Sequence, residues 1–250
     1  MPFLYNITKR QIYSSAKLLL GVARMTDIDL LRLLNEPIYA FDFQFNIGDI
    51  QDHLDFSENN IELQYRSKLE SIRLDAETGE FDSYPQEYRC HLENIAEHRF
   101  KTSLPLQIRY GAHLALTTAV EWSVLCLAES LTRPVGKKPK NKNETVYRLE
   151  IISKRVTLKR DDSIKDLEAI VRIRNCIAHN AGIPRDNKYR ENLNKSIQRL
   201  EGFSLANWHC FGKRIAIEKD ALNRYIEEMK HLVIDLHKVA DEKGLLKNNT

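Results

Sequence analysis

Apolar residues recur every three or four positions along most of this 250-residue chain, the spacing that places them on one face of an α-helix. The clearest case follows Asp220, which we expect to cap the last helix. Comparable stripes predict further helices, at residues 8–23, 26–36, 104–133, 144–160 and 162–180 and over the second half of 49–74. The stripe of the last helix consists of Leu222, Tyr225, Ile226, Met229, Leu232, Val233, Leu236 and Val239.

Two segments depart from the helical period. Between Tyr39 and Ile47, apolar and polar residues alternate, which is typical of a half-buried strand or an extended arm. Residues 202–217 predict a short hairpin that turns between positions 207 and 212. Because the chain has only 9 Gly and 7 Pro, long helices are favoured over an architecture with many turns. We therefore predict a mainly α fold, a helical bundle with a small β-hairpin before the last helix.

The predicted helix at 104–133 is apolar nearly all round, so we expect it to be the central helix of the bundle. His113, Thr117 and Glu121 form the continuous polar line through its middle, at spacings of four residues. These polar residues, together with Thr118, argue against a membrane-spanning helix in this segment.

The helix predicted at 162–180 contains a cation inside its apolar face. Ile170, Ile173 and Ile177 share that face, and Arg174 falls within the same arc. A guanidinium keeps its charge at any ordinary pH, so burying it alone would cost several kcal/mol. Arg174 therefore requires a carboxylate, an anion or a cleft, and pairing with Glu121 would satisfy both groups. Such a pair is either a structural contact without chemistry or the edge of a charged site.

Charge is distributed unevenly, although the net charge is only +3. Residues 26–98 contain 17 Asp or Glu and 5 Lys or Arg, whereas residues 133–160 contain 10 Lys or Arg and 2 Glu. Each run is compatible with a solvated face that keeps the protein soluble. A basic segment beside a site that needs an anion also favours a phosphate-bearing partner.

Four cysteines occur, at positions 90, 126, 176 and 210, with no C-x-x-C spacing. This usage indicates neither a disulfide scaffold nor a common zinc site, and it fits a reducing compartment. The N-terminal residues lack the long apolar region of a signal peptide. We therefore expect a cytoplasmic protein that does not contact a membrane.

The helix with the buried cation carries the hexapeptide RNCIAH at residues 174–179, which resembles the R-N-x-x-x-H motif of HEPN domains. The order of predicted elements is also similar to that family: an apolar helix with an internal Glu, a second helix, the motif helix, a hairpin and a long closing helix. The resemblance covers residues 104–243. We accordingly divide the chain into an acidic, mostly helical extension at 1–102 and a HEPN-like helical domain at 103–250.

The resemblance implies a metal-independent endoribonuclease without a cofactor, serving as a toxin, in antiviral defence or in RNA processing. It further implies a homodimer whose two motifs share one cleft. RNA cleavage through the 2′-hydroxyl needs a group that titrates near neutrality, for which His179 is suited, and fixed positive charge at the phosphorane, for which Arg174 is suited. Asn175 is expected to orient the imidazole or to bind phosphate, and Glu121 is expected to position Arg174 or to take part in proton transfer. The candidate RNA-binding residues are Lys137, Lys138, Lys140, Lys142 and Arg172.

One position departs from the family pattern. Where some of these toxins carry a Tyr two residues after the motif His, so that a partner nucleotidyltransferase can silence them, this chain has Ala181. The acidic extension is a candidate instead for binding a regulatory protein partner or for autoinhibition. Two alternatives remain: a non-catalytic helical module that binds RNA, a nucleotide or a protein, and a purely structural dimerisation protein.

Overall fold

A computed structural model describes residues 38–77, 86–140, 142–186, 190–208 and 212–247. It confirms the mainly α prediction. A π-helical segment, His98–Ser103, joins α2 to α3, and a short 3₁₀ turn, Pro184–Asp186, follows α5. The elements are α1 (Ile38–Glu77), α2 (Gln86–Glu97), α3 (Leu104–Ser130), α4 (Glu144–Val156), α5 (Asp161–Asn180), α6 (Arg190–Arg199), β1 (Phe203–Asn207), β2 (Lys213–Ile217) and α7 (Lys219–Glu242).

The predicted hairpin is confirmed as the antiparallel pair β1 and β2. Phe203 lies opposite Ile217 and Leu205 opposite Ile215, so one face of the ribbon carries all the predicted apolar positions. Phe203, Ile215 and Ile217 are buried, and Leu205 is half-buried. The hairpin therefore adds one apolar face to a core that is otherwise made by helices.

Helix α3 lies at the centre, packed against α1, α4, α5 and α7. Its length is possible because no proline occurs between Pro105, which is tolerated in the first turn, and Pro134. The α5 face that was expected to be apolar is buried, including Ile170, Ile173 and Ile177. The expected stripe of α7 is buried as well, except for the half-buried Val239. One core cluster thus joins all these helices.

The strand or arm expected between Tyr39 and Ile47 is wrong, because these residues belong to α1. A period-two pattern also contains pairs four residues apart, and four residues is close to one helical turn. Phe43 and Ile47 form such a pair and are buried, and Leu54 continues the same face two turns later. The helix expected in the second half of 49–74 is confirmed, and it is longer than predicted.

Helix starts were predicted less well than helix faces. Asp220 does not cap α7, because Glu218 occupies that position and Asp220 lies in the first turn. Helix α5 begins at Asp161, one residue before its predicted start, and its Asp166 pairs with the guanidinium of Arg199 at 2.5 Å. Helices α3 and α4 end at Ser130 and Val156, a few residues before the predicted ends.

The helices expected at 8–23 and 26–36 lie outside the described residues. The domain division expected between 102 and 103 falls within one continuous helical run, Gln86–Ser130. Within that run, one window is long and apolar enough to cross a membrane by length and composition, but half of it is buried inside the fold. Phe43, Ile47 and Leu54 of the extension belong to the same core cluster as α3 and α7.

We predict that Ile47→Ala lowers the free energy of unfolding by about 2–4 kcal/mol, because it leaves a cavity in the shared core. Ile95→Ala is the matched control: Ile95 is 50% exposed and Ile47 is 0% exposed. The control should stay within about 0.5 kcal/mol of the parent protein. Urea unfolding followed by circular dichroism measures both. Equal, small effects would show that α1 is not part of the core.

Candidate functional site

The candidate site is built where α5 crosses α3. Arg174 of α5 donates through Nη2 to Oε1 of Glu121 on α3, as the sequence predicted. The side chains are 23% and 27% exposed, so the pair lies at the rim of the core and is open to solvent on one side. A partly desolvated pair of this kind links the two helices, because neither charge tolerates the loss of its partner.

Asn175 extends this contact along the surface of α5. Its Oδ1 accepts a hydrogen bond from Nη1 of Arg174 at 3.0 Å. Asn175 and His179 are four residues apart, so they share one face of the helix. This hydrogen bond directs the guanidinium of Arg174 away from the apolar face of α5 and towards the face that carries His179. Among the described residues, no acceptor meets the buried Nε–H of Arg174.

His179 lies in the last turn of α5, and its side chain is exposed. The helix ends at Asn180, and Ala181 and Gly182 follow with φ values of 50° and 76°. His179 is five residues beyond Arg174, which corresponds to about 7.5 Å along the helix axis and about 140° around it. The helix itself therefore separates the two side chains, while Asn175 lies between them along the surface.

Two of the three residues in the predicted polar line on α3, His113 and Thr117, are buried and bond to backbone carbonyl groups. His113 is buried and its Nε2 lies 3.1 Å from the carbonyl oxygen of Ile170, which can only accept, so Nε2 carries the proton. Burial first, and then the nearby charge of Arg174, together lower the pKa of His113 to about 4. Thr117 bonds to carbonyl oxygens of its own helix, those of His113 and Leu114. Of the three polar residues, Glu121 reaches the open site.

A shallow groove of about 320 Å³ opens beside Glu121, between α3 and α4. Trp122, which is 64% exposed, forms part of its wall. This tryptophan was not predicted as a surface feature, because α3 is apolar on nearly every side and its sequence does not show which side stays uncovered. The groove is lined by Thr118, Glu121, Trp122, Leu125, Glu144, Thr145 and Arg148.

The basic candidates fall into two groups. Lys137, Lys138 and Lys140 are exposed in the segment between α3 and α4. Lys142 pairs with Glu150 at 2.6 Å, and Arg172 pairs with Glu168.

The pKa of Lys142 is raised first by its hydrogen bond to Glu150 and also by the charge of Glu168. The pair of Arg172 and Glu168 is therefore a neighbour of the pair of Lys142 and Glu150. Two of the five expected RNA-binding side chains are therefore already matched by carboxylates. Among the five, Arg172 lies on α5 itself, and Lys142 is near enough to that helix to feel the charge of Glu168.

One residue beside the motif escaped the sequence analysis. Arg214 of β2 donates through Nε to the carbonyl oxygen of Ala181 at 2.8 Å, two residues beyond His179. Its guanidinium also lies over the rings of Tyr110 and Trp208. The acceptor is a backbone group, which has no signature in a sequence.

No group of three His, Cys, Asp or Glu side chains with metal-binding geometry occurs in the described parts of the chain. Comparison with protein-family models, curated proteins and solved structures finds no match to this chain. The function has to be argued from the residues themselves. What the arrangement offers is a fixed guanidinium, an amide and an exposed imidazole along one helix.

We predict that Glu121→Gln lowers the free energy of unfolding by about 1–3 kcal/mol, because it leaves a mostly buried guanidinium without its counter-charge. The double variant Glu121→Gln/Arg174→Met should lose less than the sum of the two single variants, since it removes both charges. Urea titrations of the four proteins measure this coupling.

The exposed pair Arg89 and Glu93 on α2 is the control for that cycle. Its side chains are 48% and 40% exposed, so we expect a coupling below about 0.5 kcal/mol. A coupling between Glu121 and Arg174 that is no larger than this would contradict the structural role assigned to them.

We also predict that stability falls as the pH drops from about 6.5 to about 4. Burial lowers the pKa of both His113 and His237 to about 4, whereas the ordinary value is 6.5. In that range the unfolded chain binds protons that the folded chain excludes, so each histidine contributes a slope of about 1.4 kcal/mol per pH unit. Both are neutral in either state above this window, so the loss is absent there.

Urea unfolding at pH 7, 6 and 5 checks this dependence. His237→Gln removes one of the two buried titrating groups and should make the slope shallower by about 1.4 kcal/mol per pH unit. The exposed His91 provides the control, since His91→Gln should leave the slope unchanged. An unchanged slope in His237→Gln would mean that this imidazole titrates normally in the folded protein.

Proposed function

We propose that this protein is a metal-independent endoribonuclease of the HEPN type. The observation that carries the proposal is that Arg174 and His179 lie on one helix, with the imidazole exposed and the guanidinium partly exposed. The guanidinium is held in place by Glu121 of α3 and by Asn175. The guanidinium is 23% exposed at the rim of the core, so it is accessible to a phosphate, and this accessibility supports the proposal.

In the proposed reaction, the 2′-hydroxyl of the RNA attacks the adjacent phosphorus. Its proton passes to a base, the bond from phosphorus to the 5′-oxygen breaks, and the leaving oxygen takes a proton. His179 is the group suited to move a proton here, since an imidazole exchanges protons near neutral pH. The products are a 2′,3′-cyclic phosphate and a 5′-hydroxyl.

Arg174 and Asn175 serve the phosphate in this proposal. Negative charge accumulates on the phosphorane oxygens, and fixed donors stabilise that charge more than they stabilise the ground state. Glu121 engages Nη2 of Arg174 and Asn175 engages Nη1, so the guanidinium is held in one orientation. Glu121 is thus a positioning residue, and the rigid setting spares the cost of ordering Arg174 during the reaction.

Binding energy for RNA has to come from other cations, because Glu121 neutralises most of the charge of Arg174. Lys137, Lys138 and Lys140 are exposed, and no carboxylate in the described part of the chain pairs with them, while Lys142 and Arg172 would have to exchange their carboxylate partners for phosphate. Contacts of this kind supply affinity that weakens as salt rises.

The separation of Arg174 and His179 around α5 favours a site shared by two copies. Side chains about 140° apart on one helix do not converge easily on one phosphate. Two α5 helices related by a two-fold axis would bring the Arg174 of one copy towards the His179 of the other. We therefore include a homodimer in the proposal, with the exposed Trp122 near the rim of the shared cleft.

In the cell, we propose that this activity serves as a toxin or an antiviral defence effector in the cytoplasm. Uncontrolled RNA cleavage would damage the host, so a regulatory protein partner or the acidic residues before 103 would restrain it. The acidic region has the charge sign of a nucleic acid and could compete for the basic segment.

A second candidate function is a non-catalytic module that binds RNA, a nucleotide or a protein. The observation in its favour is the same ion pair: a guanidinium neutralised by Glu121 needs no phosphate. The two functions differ in turnover, so one experiment separates them.

The test incubates end-labelled single-stranded RNA with the purified protein in excess EDTA, beside the folded variants His179→Ala and Arg174→Ala. We expect cleavage by the parent protein and at least about a 100-fold lower rate in both variants. His91→Ala, at an exposed histidine away from the motif, should cleave as the parent does. An RNA with 2′-O-methyl groups throughout should stay intact, since it lacks the attacking hydroxyl.

Mass spectrometry of the product ends should find the cyclic phosphate. RNA binding without cleavage in the parent and both variants would favour the binding module. Cleavage that survives in His179→Ala would exclude the proposed chemistry.

A further inference from the structure

The end of the motif helix is held by the hairpin through several contacts. Ile215 of β2 donates its backbone N–H to the carbonyl oxygen of Gly182 at 2.9 Å. Arg214, the preceding residue, donates Nε–H to the carbonyl oxygen of Ala181 at 2.8 Å. Two consecutive carbonyl groups at the end of α5 are thus bound by two consecutive residues of one strand.

The guanidinium of Arg214 is itself fixed by aromatic rings. Its Cζ lies 5.1 Å from the centre of the Tyr110 ring and 4.8 Å from that of Trp208, within the range of cation–π contacts. Tyr110 also donates its hydroxyl hydrogen to the carbonyl oxygen of Ile215. Arg214 therefore joins α3, the hairpin and the end of α5 in one contact.

The backbone between His179 and the hairpin has a conformation that requires such support. Ala181 has a φ of 50°, in the left-handed region that a residue with a Cβ adopts only at an energetic cost. Gly182 has a φ of 76°, and a Cβ there would lie 2.2 Å from the hydroxyl oxygen of Tyr110. The turn cannot move towards α3, and the hydrogen bonds to β2 oppose movement away from it.

We propose that Arg214 is a positioning residue for His179. By binding the Ala181 carbonyl and resting on two aromatic rings, it fixes the last turn of α5, and hence the direction of the imidazole. The role in cleavage rests on the proposed function, whereas the clamp on the helix end is a property of the fold. Displacements of about 1 Å in a catalytic group cost up to about 100-fold in rate, so a loosened helix end has a measurable effect.

Arg214→Ala and Arg214→Lys test this role, with Lys213→Ala as the matched control. Lys213 precedes Arg214 on the same strand and is exposed, and its replacement removes the same charge. Single-turnover cleavage and RNA affinity are measured separately. We expect Arg214→Ala to cleave about tenfold more slowly at saturating RNA while its Kd stays within about twofold. Arg214→Lys keeps a donor for the Ala181 carbonyl and should recover part of the rate, and Lys213→Ala should match the parent.

Amide hydrogen exchange provides a readout that does not depend on cleavage. The N–H groups of Gly182 and Ile183 are bonded to the carbonyl oxygens of Cys176 and Asn180. In Arg214→Ala we expect these two amides and that of Ile215 to exchange about tenfold faster, while the amides in the middle of α5 are unaffected.

The outcomes separate the clamp from the proposed function. A weaker Kd with an unchanged saturating rate would overturn the proposal and make Arg214 an RNA contact. Unchanged exchange at residues 182, 183 and 215 would overturn the clamp, whatever happens to the rate. If the parent protein does not cleave RNA, the proposed function fails, and faster exchange in Arg214→Ala would still support the clamp.

Discussion

The ion pair between Arg174 and Glu121 is the interaction on which the site depends. Both groups lie mostly inside a helical core, where a charge without a partner is costly, so the pair sets how far α5 can shift or rotate against α3. Apolar contacts alone tolerate such shifts more readily, since one aliphatic side chain can replace another. The pair also keeps the guanidinium in one orientation at the rim of the core, with Asn175 as its second acceptor.

The motif helix is held at a second point, its C-terminal end. There the hairpin binds the carbonyl groups of Ala181 and Gly182 through β2. Between the two points lie about two turns of chain, nearly all of it regular helix, which is a stiff spacer. Residues 174–179 are thus supported at both ends by elements distant in sequence, α3 on one side and the hairpin on the other. A site on such a helix is more rigid than a site on a loop, as preorganised chemistry requires.

Much of the fold could be predicted because apolar periodicity reports which face of a helix is buried. The pairing of Arg174 with Glu121 could be predicted for a related reason: each charge needed an opposite charge, and each lay in an apolar context. The expected strand at 39–47 failed because Phe43 and Ile47 satisfy both a period of two and a helical turn, and neighbouring helices decided which pattern was used. The cap expected at Asp220 was wrong because several polar residues near a helix start compete for the same role.

The sequence by itself determined the apolar faces, the number of charged residues in each segment and the need of Arg174 for a partner, since these follow from residue type and spacing. Only the tertiary structure decided which side of α3 stays open at Trp122, which cations are matched, as Lys142 and Arg172 are, and what holds the end of α5. The physical reason is that these properties depend on groups brought together from distant parts of the chain. The contact from Arg214 to Ala181 shows this most clearly, because its acceptor is a backbone carbonyl that every residue possesses and that packing alone selects.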